Sequence, residues 1–121
     1  MPRVADFVQL SDTSFDLRIG GEIARPLTQT IVDAPANGEG ALLTWNVRRE
    51  GSGSVTYEIK INGDDVARDA YTVSQGDWSA VQETLATNAI KQGSNTVTFV
   101  VTGGSGTLSI GDVVLWYRQN V

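Results

Sequence analysis

The sequence predicts an all-β domain, an antiparallel jelly-roll sandwich, on three observations. Apolar and polar residues alternate with period two in several runs, glycine-rich turn signals fall between those runs, and no long segment carries an uncontested helical period. Short strands separated by regular turn signals are the pattern of a sandwich or barrel.

The elements follow in chain order. Phe15, Leu17 and Ile19 alternate with Asp16 and Arg18, and Leu43, Trp45 and Val47 alternate with Thr44, Asn46 and Arg48. In the run from Ser54 to Ile61, Val55, Tyr57, Ile59 and Ile61 fall on one face, with Thr56, Glu58 and Lys60 on the other. That is a half-buried strand. Val97, Phe99 and Val101 repeat the pattern against Thr96 and Thr98.

The punctuation between runs predicts three hairpins. Asn62-Gly63 precedes a run from Val66 to Thr72, and this dipeptide suits the positive φ values of a type I′ turn. Glu50-Gly51-Ser52-Gly53 and Gly103-Gly104-Ser105-Gly106 separate two further pairs of strands.

Ser79 to Lys91 carries both periods, and we read a strand through Leu85 followed by a short helical turn over Asn88 to Lys91, stopped by Gly93. The last strand changes phase. Leu108 and Ile110 alternate, whereas Val113, Leu115 and Tyr117 stand one residue out of step. An extra residue at Gly111-Asp112 restores the register, as a β-bulge does.

With 121 residues, 40% of them hydrophobic, the chain has room for one domain over residues 1–121. A domain of this size buries roughly two-thirds of its unfolded surface and needs no disulfide or metal to fold. No stretch approaches the ~20 apolar residues of a membrane span. Met1 to Phe7 lacks the apolar stretch of a signal peptide, which leads to the expectation of a cytoplasmic protein or one whose leader has been removed. The net charge is −5, and Lys and Arg are scattered singles apart from Arg48-Arg49. A nucleic-acid partner needs a clustered basic face, so none is expected.

Residue types also exclude chemistry. The chain has no histidine and no cysteine, which removes imidazole bases, thiolate nucleophiles and the common zinc ligand sets. No serine lies in Gly-x-Ser-x-Gly. The Gly103 to Gly106 run lacks the Lys-Ser/Thr and helix of a phosphate loop, so it reads as a turn. Paired carboxylates are the catalytic device left, as in glycoside hydrolysis. Asp64-Asp65 and Asp77 fall in predicted turns, where Asp serves backbone hydrogen bonding. The expectation is a binding or structural module, not an enzyme.

The C-terminal half carries a resemblance. Gly76-Asp77-Trp78, then Ile90-Lys91-Gln92-Gly93-Ser94-Asn95-Thr96-Val97-Thr98-Phe99, then Leu108-Ser109-Ile110-Gly111-Asp112-Val113-Val114-Leu115, resembles galactose-binding-like jelly rolls. Their best-known members are the non-catalytic carbohydrate-binding modules of glycoside hydrolases. The resemblance covers roughly Ala41 to Tyr117 and implies glycan binding. Other members bind phospholipids, nucleic acid or proteins, so fold analogy does not name the ligand.

In related modules a late Asp, in the position resembled by Asp112, joins N-terminal acidic groups around a structural calcium. Asp16 is the partner taken here, with Asp6 and Asp12 nearby, although the acidic pair of the first strand is missing. The alternative role for Asp112 is to satisfy backbone donors at the bulge.

Sugar recognition needs an exposed ring on which a pyranose can stack. Trp45 lies on the apolar phase of its strand and is expected in the core. Trp116 is opposite in phase to Leu115 and Tyr117 and faces outward or into a subunit contact. Trp78 either packs on the sandwich or forms a stacking platform. The expected glycan site is Tyr71, Asp77 and Trp78 with Asn62 and Asp64. The competing reading is a structural protein, a homo-oligomer or particle component, because Val113 to Trp116 is apolar on both phases.

Overall fold

The computed structural model describes residues 3–32, 34–36, 40–65 and 70–120. Ten strands run through them: β1 (Arg3–Ser11), β2 (Phe15–Leu17), β3 (Ala24–Ile31), β4 (Leu42–Glu50), β5 (Val55–Ile61), β6 (Asp64–Asp65), β7 (Tyr71–Val73), β8 (Ser79–Thr84), β9 (Gly93–Gly104) and β10 (Thr107–Asn120). One sheet has the order β1-β10-β4-β8 with β2 beside β10, and the other has β3-β9-β5-β6 with β7 beside β5. Every pairing is antiparallel. The predicted all-β sandwich is the fold.

The alternating runs set which side of each sheet is buried. Leu43, Trp45 and Val47 of β4 are buried, as are Val55, Tyr57, Ile59 and Ile61 of β5 and Val97, Phe99 and Val101 of β9. Their aromatic centre is tightly paired: the ring centroids of Trp45 and Phe99 lie 5.8 Å apart, edge to face. Trp45 Nε1 donates to Tyr57 Oη at 3.0 Å, so the one polar atom of the buried indole has a partner. Ile19 departs from expectation. β2 ends at Leu17 and Ile19 is 52% exposed, because the chain turns away from the sheet at Gly20 (φ 90).

Burial pushes the Tyr57 hydroxyl up from 10.0 to about 12, with the Trp45 hydrogen bond opposing the shift. A phenol whose folded pKa lies above its unfolded one contributes stability that is intact below pH ~10 and is lost as the pH rises toward the folded value. Urea unfolding should therefore show a loss of roughly 3 kcal/mol between about pH 10 and 12. Tyr57→Phe, which has nothing to ionise, should flatten that decline; an unchanged decline would assign it to other groups.

The turns divide. Asn62 and Gly63 have φ of 53° and 91°, and Ile61 pairs directly with Asp64, which makes the predicted two-residue type I′ hairpin. Of the run expected from Val66 to Thr72, residues 66–69 lie outside the described part of the chain, and Tyr71 and Thr72 fall in β7.

The other two glycine-rich links are not hairpins. Glu50 to Gly53 carries the chain from β4 in one sheet to β5 in the other, and Gly103 to Gly106 carries it from β9 back to β10. These corners run side by side, with Ser105 N and Gly106 N both donating to Ser54 O at 3.0 and 3.1 Å. A Cβ at Gly104 (φ 95) would stand 2.2 Å from Ser54 O, so close approach of the two corners requires glycine there. Hairpin and corner use the same residues, which is why sequence alone merged them.

The segment after β8 also differs from expectation. The strand ends at Thr84, and no helical turn follows, because Asn88 has φ 66. Asn95 organises this region instead. Buried, its Oδ1 accepts from Lys91 N at 3.0 Å and its Nδ2 donates to the carbonyls of Lys91 (2.7 Å) and Gly93 (3.1 Å). The Lys-x-Gly-x-Asn motif is thus a self-bonded turn feeding β9.

Candidate functional site

The predicted bulge organises a cleft. Gly111 pairs with Asn46 and Val114 with Thr44, so Asp112 and Val113 together stand against Trp45 alone. Asp112 takes φ 50, a left-handed conformation that Asp tolerates better than most residues. The extra residue restores Val113, Leu115 and Tyr117 to the core and turns the Asp112 side chain outward. There its Oδ2 accepts from Asn46 Nδ2 at 3.1 Å.

Two loops close the cleft. Asp12 and Ser14 come from the turn between β1 and β2, and β2 is tied to β10 with Phe15 opposite Ile110. Trp78 arrives from the loop before β8, which is held to β4 by Arg49 N donating to Gln75 O at 2.9 Å. Cη2 and Cζ3 of Trp78 lie 3.7 Å from where a Gly111 Cβ would be, so the indole rests over a position without a side chain. The Arg48 guanidinium sits 4.9 Å from the indole ring centre, and Arg48 also pairs with Glu50. The cleft has a volume of about 480 Å³ and is lined by Asp12, Ser14, Asn46, Trp78, Gly111 and Asp112. Trp78 remains 45% exposed within it.

Of the residues expected to bind glycan whose side chains are described, Trp78 alone lines this cleft. Asp77 is exposed next to it in the same loop. Tyr71 lies between the sheets, stacked on Tyr57 at 5.1 Å and edge-on to Trp45 at 5.5 Å, with its hydroxyl donating to Glu83 Oε1. It lines a separate space of about 220 Å³ with Val47, Gln75, Ser79 and Val81. Asn62 is engaged by the fold: its Nδ2 donates to Asn95 Oδ1 at 3.1 Å and its Oδ1 accepts from Thr96 N at 3.0 Å. Asp64 pairs through its backbone with Ile61, and its side chain lies outside what is described.

The two acids expected to share calcium stand apart in their bonding. Asp16 Oδ1 accepts from Ser109 Oγ at 2.7 Å, whereas Asp112 is bonded to Asn46. Asp12, not Asp16, joins Asp112 in the cleft. Among the described residues no three acidic side chains come together around one point. The oxygens of Asp12, Asp112, Ser14 and Asn46 are chemically those a hard cation takes, but a full shell needs six or more.

Sequence reasoning passed over Ser14, Asn46 and Gly111 as parts of one cleft, and named Asp12 only as an acid near the calcium candidates. The available signal was Asn46: a polar residue on the outward phase of a strand facing the residues where the last strand slips.

No protein-family model matches the sequence, and neither does any curated protein. Solved structures do match. The CBM36-1 domain of a multidomain xylanase from the hindgut metagenome of Trinervitermes trinervoides aligns with TM-score 0.57 and 16% identity, over 93% of this chain and 96% of that one. Carbohydrate-binding modules of families 4, 22 and 35 match as well. This chain has the jelly-roll fold of carbohydrate-binding modules. Dimeric latent PorU from Porphyromonas gingivalis aligns with TM-score 0.67 and 5% identity, over 99% of this chain but 13% of that protein. A chain of the T13 IBDV viral particle aligns with TM-score 0.51 and 15% identity, over 98% of this chain and 36% of that one. Identities this low establish the fold and leave the ligand to the site's own chemistry.

Proposed function

We propose that this domain is a non-catalytic carbohydrate-binding module whose sugar site is the cleft at the β10 bulge. The observation that carries the reading is the half-exposed Trp78 indole set beside Asp12, Ser14, Asn46 and Asp112. An indole offers a flat apolar surface to the C–H face of a pyranose, and carboxylate and amide oxygens accept hydrogen bonds from its hydroxyls. Desolvating those hydroxyls offsets most of each bond, so a single site is expected to bind in the micromolar to millimolar range. The xylanase-derived module named above supports a polysaccharide ligand by likeness of fold. A glycan array over neutral and acidic glycans tests the reading: retention of neutral glycans supports it, and a blank array overturns it.

We propose calcium as a competing occupant of the cleft, with Asp12 taking the place first given to Asp16 beside Asp112; a bound cation would cancel the carboxylate charge that otherwise faces a sugar. A ligand that binds only the folded state raises the melting temperature. Chelated protein given millimolar calcium should melt higher, and Asp112→Ala should abolish the gain. An unchanged melting temperature in the parent protein would remove calcium from the account.

The alternative is an assembly role, favoured by the likeness to part of a viral-particle chain. Light scattering alongside the array separates the two readings: a blank array with a defined oligomer selects assembly.

A further inference from the structure

Outside the cleft, the same sheet face carries an exposed aromatic pair. Phe7 of β1 and Trp116 of β10 are direct cross-strand partners, with ring centres 5.3 Å apart, and they are 56% and 42% exposed. Trp116 Nε1 donates to Thr44 Oγ1 at 2.9 Å, which fixes the indole in place. Two large rings are held open to solvent here, beside the half-buried Val114 and Leu42 of the same face, and such an exposed apolar patch marks a contact surface.

We propose that Trp116 and Phe7 form a second stacking platform, and that with the Trp78 cleft they hold an internal stretch of a linear neutral glycan laid along β10. This rests on the carbohydrate reading above and adds the shape and charge of the ligand.

Continuity of the face is the first argument. Thr44 and Asn46 point outward from β4 while Trp45 and Val47 point inward, so the residue that anchors Trp116 and the residue that binds Asp112 are outward neighbours. Trp116 pairs with Leu42 and Gly111 with Asn46. Four residues of strand separate those pairs, a rise of about 13 Å. One sugar ring does not reach across that span, so both platforms are filled only by a chain of several sugars.

Charge is the second argument. Asp12 and Asp112 line the cleft, and the neighbouring cation, Arg48, is paired with Glu50. The protein's net charge is −5. Two carboxylates facing the ligand repel a polyanion and accept hydrogen bonds from neutral hydroxyls.

The test is calorimetric titration with xylo-, cello- and manno-oligosaccharides from monomer to hexamer, on the parent protein, Trp116→Ala and Phe7→Ala. Melting curves establish that each variant is folded. In the parent, affinity for at least one series should climb by about tenfold between the dimer and the hexamer. Trp116→Ala should erase the climb and leave the dimer affinity unchanged, and Phe7→Ala should reduce it. Length-independent binding, an intact climb in Trp116→Ala, or an array that retains only acidic or terminal sugars overturns the second platform and leaves the carbohydrate reading standing. A blank array together with three blank series removes both.

Discussion

Trp45→Ala is expected to cost about 3–5 kcal/mol of folding stability, the range for deleting a large aromatic from a core. That is a large fraction of the 5–15 kcal/mol that holds a domain together. Trp45 is 1% exposed and meets Phe99 and Tyr71 edge to face, at 5.8 and 5.5 Å. Its removal leaves a cavity between the sheets and strips Tyr57 Oη of its indole donor. Trp45→Phe keeps part of the ring and loses only the donor and some volume, so it should cost roughly half as much. Urea unfolding measures both. A loss below about 1 kcal/mol for Trp45→Ala would show that the core closes over the gap, contrary to the packing described.

The sequence spoke clearly wherever one physical cause had one consequence. Alternation along β4, β5 and β9 marks a buried face, and it located Trp45, Tyr57 and Phe99. The phase slip after Ile110 has one economical cure, a bulge, and Asp112 at φ 50 is that bulge. Asn62-Gly63 works locally and formed the turn it prescribes.

Legibility failed where a residue serves two geometries. Gly51, Gly53 and Gly104 have positive φ, as hairpin glycines do, yet they turn corners between sheets. Their environment is set by Ser54 and Ser105 meeting across the two corners, a contact between segments about fifty residues apart in sequence. Asn88 broke the helical reading of its segment through a single backbone angle. The cleft was hidden in the same way. Asn62 and Asp64 share a turn with neither Trp78 nor Asp112, and β4 and β10 meet through long-range pairing that no local pattern announces. Proximity in sequence favoured Tyr71, Asp77 and Trp78 as a cluster, although β7 and β8 belong to different sheets.

Trp78→Ala is the change expected to silence the cleft, with glycan binding lost and the fold retained. The indole is 45% exposed, its nearest cation is the paired Arg48, and it rests over Gly111 without being enclosed. Losing an exposed cation–π contact and part of its packing should cost about 1–2 kcal/mol, a fall of a few degrees in melting temperature. Binding, in contrast, loses its one apolar platform in the cleft. Asn46, Asp12 and Asp112 then offer hydrogen bonds that only replace those of water. Gly111→Leu gives an independent route to the same end. A Cβ at Gly111 would stand 3.7 Å from the indole, an ordinary contact, so alanine fits. The branched carbons of leucine reach further and displace the ring. Gly111→Ala should therefore keep binding, and Gly111→Leu should lose it while the sandwich still melts cooperatively. If Trp78→Ala instead costs 3–5 kcal/mol, the indole is a structural prop and the sugar platform must lie elsewhere on the sheet. If it binds glycan as the parent does, the cleft is not the site.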